Sequence, residues 1–251
     1  MIKIERRILS PTAINTYLAC PRKYYLRYIR KLPGKPSIHL IRGAIVHKTL
    51  HEFHMNYIRG PPSTDPKAIR KDLISIFQHQ WQKEKTSLNS LGLSTELLGD
   101  YYLDSADMLS NYAHWFANQR SPPFVNSTEL KIFSNNLRTM GIIDAVKVND
   151  NGTFLIDYKT SKDFSITEDI MRQAILYCLL YEDRYEEIPV AVYIHFLKDP
   201  GDPVALFIDD AQLEYGKILI DSIHEKTQSR DETDYPCTCN GYCKRDFIEQ
   251  G

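Results

Sequence analysis

No apolar run in this 251-residue chain approaches the roughly 20 residues that a membrane-spanning helix needs; the stretches 174–181 and 190–197 stop far short. The N-terminus, Met1-Ile-Lys-Ile-Glu-Arg-Arg, has no apolar stretch ahead of a small-residue cleavage site. No secretory signal is therefore read, and a cytoplasmic protein without membrane association is expected. Internal repeats and low-complexity tracts are also missing. A net charge of −1 excludes a polycation. Cysteines number only five, and without a secretory signal a cluster among them points to metal rather than to disulfides. What remains is ordinary: 43% hydrophobic and 25% charged residues, as in soluble globular proteins, in a chain long enough for a sizeable core.

The charge is unevenly placed. Residues 1–48 hold eleven Lys and Arg and one acid, Glu5, leaving 20 basic and 31 acidic residues for the rest. A basic segment beside an acidic body suggests a local phosphate-binding face; the plainer reading is a solvated helix surface.

Ser10-Pro11 is a helix start, and Pro21 divides that helix from a second over residues 22–29, with Cys20 at the junction. Residues 33–36 read as a loop and 41–57 as a helix. Gly60-Pro-Pro-Ser63 reads as a turn and Asp65-Pro66 as another helix start. Ile69, Leu73, Ile76, Phe77 and Gln80/Trp81 recur at helical spacing, and a further helix covers about 94–118. Beyond Pro122-Pro123 the pattern becomes that of strands at 124–133, 137–148 and 153–158, the last two joined through Asn149-Asp-Asn-Gly152. A helix over 166–185, strands at 190–197 and 204–208, and a helix from Asp209/Asp210 to about 228 follow, then a cysteine-rich tail.

On a strand, positions i and i+2 share a face, so Asp157 and Lys159 project together. A carboxylate can hold a divalent cation, and an ammonium beside it can orient the attacking water. Asp144 lies inside the otherwise apolar preceding strand, where an acid is costly unless paired or bound to metal. The hairpin brings it beside Asp157, and two carboxylates form a hard-oxygen site suited to Mg²⁺ or Mn²⁺. A salt bridge between Asp144 and Lys159 is the plainer alternative. His47 lies on the 41–57 helix; His51 and His54 follow it, but Lys48 breaks the H-E-x-x-H zinc pattern, and both are read as structural. Gln173 and Tyr177 share a helix face at i, i+4.

Gly43-x3-His47, Gly141-Ile-Ile-Asp144, Asp157-Tyr-Lys159 and Gln173-x3-Tyr177 stand in the order of the RecB-like PD-(D/E)XK nucleases, which the chain resembles. The opening residues 9–25 are similar to that family's N-terminal segment. The resemblance implies an α/β fold with a central mixed sheet flanked by helices. It implies one nuclease domain with N-terminal helices (1–54), a helical insertion (55–122), the core (123–229) and a closing tail (230–251). It implies metal binding by His47, Asp144, Asp157 and the Tyr158 carbonyl, a water-assisting Lys159, and DNA or catalytic-group placement by Gln173 and Tyr177. Glu129 is a candidate supporter of the site, with a surface role as the alternative. The implied reaction is phosphodiester hydrolysis.

Cys20, Cys237, Cys239 and Cys243 match the one-plus-three arrangement of the family's iron–sulfur branch, which includes the AddB nuclease domain and the CRISPR-associated RecB-like exonucleases. Four thiolates suit a 4Fe–4S cluster, and structural zinc is the main alternative. The C-x-C-x3-C tail is tighter than the C-x2-C-x5-C spacing associated with that branch. Cys178, in an apolar run, reads as a core thiol.

The expected activity is a nuclease acting on single-stranded DNA or DNA ends, with Arg22, Lys23 and Arg27 on phosphate. CRISPR integration or recombination proteins are the expected partners, in spacer acquisition or repair. The alternatives are an inactive DNA-binding relative and a cysteine-cluster redox sensor.

Overall fold

The computed structural model describes residues 7–59, 63, 65–119 and 125–248. Most of the expected turn at 60–63 and the expected strand start at Phe124 lie outside them. Helix α1 (Pro11–Ala19) is capped by Ser10, whose hydroxyl accepts from Ala13 N–H at 3.1 Å. Cys20 is extended, with φ −165°, and breaks the run before α2 (Pro21–Tyr24). The helix expected over 22–29 loosens instead into a π-turn over Tyr25–Ile29, closed by Arg30 N–H on the Tyr25 carbonyl at 2.9 Å. The aromatic contacts of this stretch go with the widening: Tyr24 and Tyr25 both pack on Tyr235 of the tail.

Helix α3 (Ile38–Arg59) starts three residues earlier than expected. Helices α4 (Pro66–Lys83) and α6 (Thr95–Ala117) begin at their Asp65 and Ser94 caps. Between them lies α5 (Lys85–Asn89), which no periodicity announced.

The sheet comprises β1 (Ser127–Ser134), β2 (Thr139–Asn149), β3 (Gly152–Lys159), β4 (Ala191–Phe196) and β5 (Val204–Leu206), in spatial order 1-2-3-4-5. The β1–β2, β2–β3 and β4–β5 pairs are antiparallel, and β3–β4 is parallel. That parallel pair needs a crossover, supplied by α7 (Glu168–Tyr185). Thr167 caps α7, two residues later than expected, and α8 (Asp210–Lys226) opens on an Asp209–Gln212 capping box.

Helices lie on both faces of this mixed sheet, the α/β arrangement expected. On one face, Ile143, Leu155, Val192 and Phe196 share a core with α1, α2, α7 and α8. On the other, Ala145, Ile156 and Tyr158 join α3, α4 and α6. Helices α7 and α8 approach so closely that a Cβ on Gly216 would stand 2.6 Å from Ile175 Cγ2. No described helix is long and apolar enough to cross a membrane.

Candidate active site and metal centre

The site forms where the sheet comes apart. The β2–β3 ladder runs from Asn149↔Gly152 only as far as Ala145↔Ile156, so Asp144 and Asp157 lie just beyond the last pair. Leu9 then pairs with Thr139, donating to the Arg138 carbonyl at 3.0 Å and accepting from Met140 N–H at 2.8 Å. The N-terminal segment thus takes up β2 edge that β3 no longer uses. The carboxylate of Asp144 replaces a missing ladder partner: its Oδ2 accepts from Tyr158 N–H at 2.8 Å. A largely buried acid in an apolar strand is explained by that bond and by His47, whose Nδ1 lies 3.0 Å from Oδ1. The alternative pairing of Asp144 with Lys159 is not the one seen.

Lys159 turns to Asp157 Oδ2 at 2.6 Å and donates to Gln173 Oε1 at 2.8 Å. Gln173 Nε2 donates to Asp157 Oδ1 at 3.2 Å and to Tyr177 Oη at 2.7 Å. The helical i, i+4 pair and the strand i, i+2 pair therefore meet in one network. Gly141 permits this approach: a Cβ there would lie 2.8 Å from Leu180 Cδ1 and 3.2 Å from Tyr177 Cε1.

Burial raises the Asp157 pKa to about 6, with Lys159 opposing and Asp144 adding to the rise. Burial lowers the His47 pKa, but Asp144 overcomes it and the net shift is upward. Burial, then the two carboxylates, keep Tyr177 a neutral phenol.

The donor set of one imidazole and two carboxylates suits a divalent cation. Asp157 Oδ2 is buried against the Lys159 ammonium at 2.6 Å, an ion pair that leaves a further lone pair for a cation. Among the described residues, the group of three or more His, Cys, Asp or Glu whose ligand atoms already converge is the cysteine set.

Two neighbouring histidines are structural, as their sequence context suggests. His51 Nδ1 meets Thr128 Oγ1 at 2.7 Å. His54 Nε2 lies between the hydroxyls of Tyr112 at 2.7 Å and Tyr158 at 3.2 Å, and burial lowers its pKa to about 3. Glu129 falls between the Thr128↔Ala145 and Leu130↔Ile143 pairs, opposite Asp144 in register, but its φ is +48°. That left-handed turn carries its carboxylate to Lys48 and His51, each at 3.8 Å.

Arg42 has a role that the sequence motifs do not announce. Its buried guanidinium contacts Asp104 of α6 and donates to the Thr160 carbonyl at 3.1 Å, directly after Lys159. The only local signal is a charge on the apolar face of α3, one turn before Ile45 and Val46.

Of the three basic residues expected on phosphate, Arg22 is engaged elsewhere. It pairs with Glu232 and donates to the Tyr235 carbonyl at 2.8 Å. Lys23 meets Asp246 at 2.6 Å, and Arg27 is exposed. A cavity of about 280 Å³ runs from Gln173 past Asn15 and Thr16 to Lys23. A second, of about 400 Å³, continues from Lys23 to Arg27, Lys35 and Arg245.

Beside Lys23 and Arg245, next to both cavities, the four thiols meet. Cys20, Cys237, Cys239 and Cys243 have Sγ atoms all within 4.8 Å of one another, a group that can hold a metal. Cys178 is fully buried, its pKa pushed up to about 12 by that burial and by Glu182.

A solved structure of an Eubacterium rectale protein, named as a candidate exonuclease, superposes with a TM-score of 0.57 over 98% of this chain and 90% of that one. At 9% identity, that likeness speaks for the fold. No curated protein matches. The family model described as the PD-(D/E)XK nuclease superfamily matches residues 8–245, nearly the whole described chain, and the chain belongs to that superfamily.

Proposed function

We propose that the protein is a divalent-metal-dependent deoxyribonuclease that hydrolyses phosphodiester bonds in single-stranded DNA or at DNA ends. The observation that carries this reading is the placement of Lys159. Its ammonium is fixed by Asp157 Oδ2 and Gln173 Oε1 beside the two carboxylates of the opened strands.

A bound divalent cation supplies Lewis-acid polarisation of the phosphate and a more acidic water. Asp144 and Asp157 would be its acidic ligands, with His47 and the Tyr158 carbonyl completing the set. Lys159 stands where a cation can orient the attacking water and meet charge building on the phosphate oxygens. Gln173 holds both Lys159 and Asp157, so the attacking side keeps one geometry through the reaction. Tyr177 fixes Gln173 in turn.

Single strands and ends are favoured by the shape of the approach. From Gln173 a polar cavity reaches Lys23, and beyond it a gully lined by Arg27, Lys35 and Arg245 against one acid, Asp246, suits a phosphate backbone. Trimming of DNA ends during CRISPR spacer acquisition or repair is the setting that such a gully and the family resemblance support.

The test is digestion of 5′- and 3′-labelled single-stranded DNA, duplex DNA and RNA with Mn²⁺ or Mg²⁺. Single-stranded DNA should be cut with either metal, and the Lys159→Ala variant should be slowed by about 10²-fold or more. DNA left intact with both metals, or full activity in Lys159→Ala, would end this reading.

A further inference from the structure

The iron–sulfur cluster implied by the one-plus-three cysteine pattern does not fit the thiols as they stand. We infer that Cys20, Cys237, Cys239 and Cys243 instead hold a single tetrahedral zinc ion that clasps the two ends of the fold.

The sulfurs are spaced for one ion. Cys237 Sγ lies 3.7 Å from Cys239 Sγ and 3.7 Å from Cys243 Sγ, and no pair in the set exceeds 4.8 Å. Four sulfurs at about 2.3 Å from one zinc stand about 3.8 Å apart along the edges of the tetrahedron. On a four-iron cube each thiolate binds a different iron and points outward, so the sulfurs stand roughly 6 Å apart. The observed spacing, 3.7 Å for two pairs and no more than 4.8 Å for the rest, is nearer that of one ion than that of the cube.

The loop holds that spacing. Gly241 at φ +84° and Asn240 at φ +49° fold the C-x-C-x3-C segment back on itself. Gly241 N–H points at Cys237 Sγ at 3.3 Å and Cys243 N–H at Cys239 Sγ at 3.1 Å. Backbone donors on two sulfurs stabilise thiolates, and they fix the loop at a width set by one turn.

The ligand set and its place in the fold identify the ion and its role. Four thiolates leave no open position, which is the pattern of a structural site. Among the common divalent ions, a soft S₄ tetrahedron favours zinc over iron(II). The ion's place is also structural. Cys20 ends α1, and Thr238 Oγ1 donates to the Ala19 carbonyl at 3.1 Å beside it. The tail is otherwise docked by Arg22, by Tyr235, and by Lys35 N–H on the Asp246 carbonyl at 2.8 Å. A zinc clasp has no accessible redox couple, so this inference stands apart from the nuclease reading and argues against redox sensing.

The test uses the full chain expressed in iron-replete medium and purified without oxygen. Metal analysis, the visible spectrum and X-ray absorption at the metal edge are recorded. About one zinc per chain is expected, with a colourless solution and one sulfur shell near 2.3 Å. Chelated protein should take up Co²⁺ with the intense visible bands of tetrahedral thiolate coordination. Cys20→Ser should lose at least about nine-tenths of the zinc; if that variant does not fold, the wild-type spectra decide alone. About four irons per chain with a brown band and iron–iron scattering would overturn the inference. So would a single red-coloured iron, or a native protein that holds no metal and takes up no Co²⁺.

Discussion

The carboxylate pocket and the cysteine knot differ in what holds them. Asp144, Asp157 and Lys159 sit on β2 and β3, whose ladder fixes them until just before the pocket. Their positions depend on the central sheet and on α7, and each group has a protein partner. The four cysteines sit on a helix junction and a turn, with little regular structure between Cys237 and Cys243. The pocket is a hard-donor site that the fold builds; the knot is a soft-donor site that completes the fold. A change in the first should cost chemistry before stability, and a change in the second should do the reverse.

The largest expected effect would break that comparison if it failed. Asp157→Asn keeps the shape but removes the charge, and cleavage should fall by at least about 10³-fold with the melting temperature little changed. Single-turnover digestion beside a thermal melt checks both halves.

Next in size is removal of the knot. Cys20→Ser should cost about 3 kcal/mol, roughly 6–12 °C in Tm, and expose the tail to protease first. Activity per folded molecule should remain at low temperature. A Cys20→Ser protein with wild-type Tm but no cleavage would reverse the division drawn above.

Two glycines sharpen it further. Gly141→Ala and Gly216→Ala each drive a methyl into α7 side chains and should each cost about 1–3 kcal/mol by overpacking. Gly141 faces Tyr177 and Leu180, so its variant should also lose cleavage. Gly216 faces Ile175 and Leu179, away from the network, so its variant should lose stability alone.

The last comparison concerns pH, and is read as a slope rather than as a loss. Burial lowers the His195 pKa to about 4, against about 6.5 in an unfolded chain. The unfolded state therefore binds the proton first. Stability from keeping His195 neutral is complete above about pH 6.5 and drains away as pH falls towards 4. Melts across that window should show a flatter acid slope in His195→Gln than in the parent.

The sequence disclosed the pocket because its chemistry follows two short periods. Asp157 and Lys159 obey the strand repeat, and Gln173 and Tyr177 obey the helix repeat. Asp144 was exposed by being an acid among apolar neighbours. The partners were harder to read: nothing local says that Asp144 would take Tyr158 N–H and His47 while Lys159 went to Asp157. That choice depends on where β2 and β3 part. The left-handed turn at Glu129, the capture of Arg22 by the tail and the burial of Arg42 against Asp104 are likewise long-range outcomes. The cysteine count was legible at once, but the spacing of the sulfurs was not, because it is set by a turn rather than by a repeat.

The helical layer limits how far this molecule could be trimmed. His54 joins the hydroxyls of Tyr112 on α6 and Tyr158 on β3, directly between Asp157 and Lys159 in the chain. The stretch 55–122 has the look of a removable ornament, yet its Tyr112 packs against Tyr158 of β3. Excising it for a minimal enzyme would strand two buried polar groups, His54 and Tyr158, and open a void under β3. A shortened version would need a replacement phenol, or an apolar plug for all three positions, before its surface loops were worth redesigning.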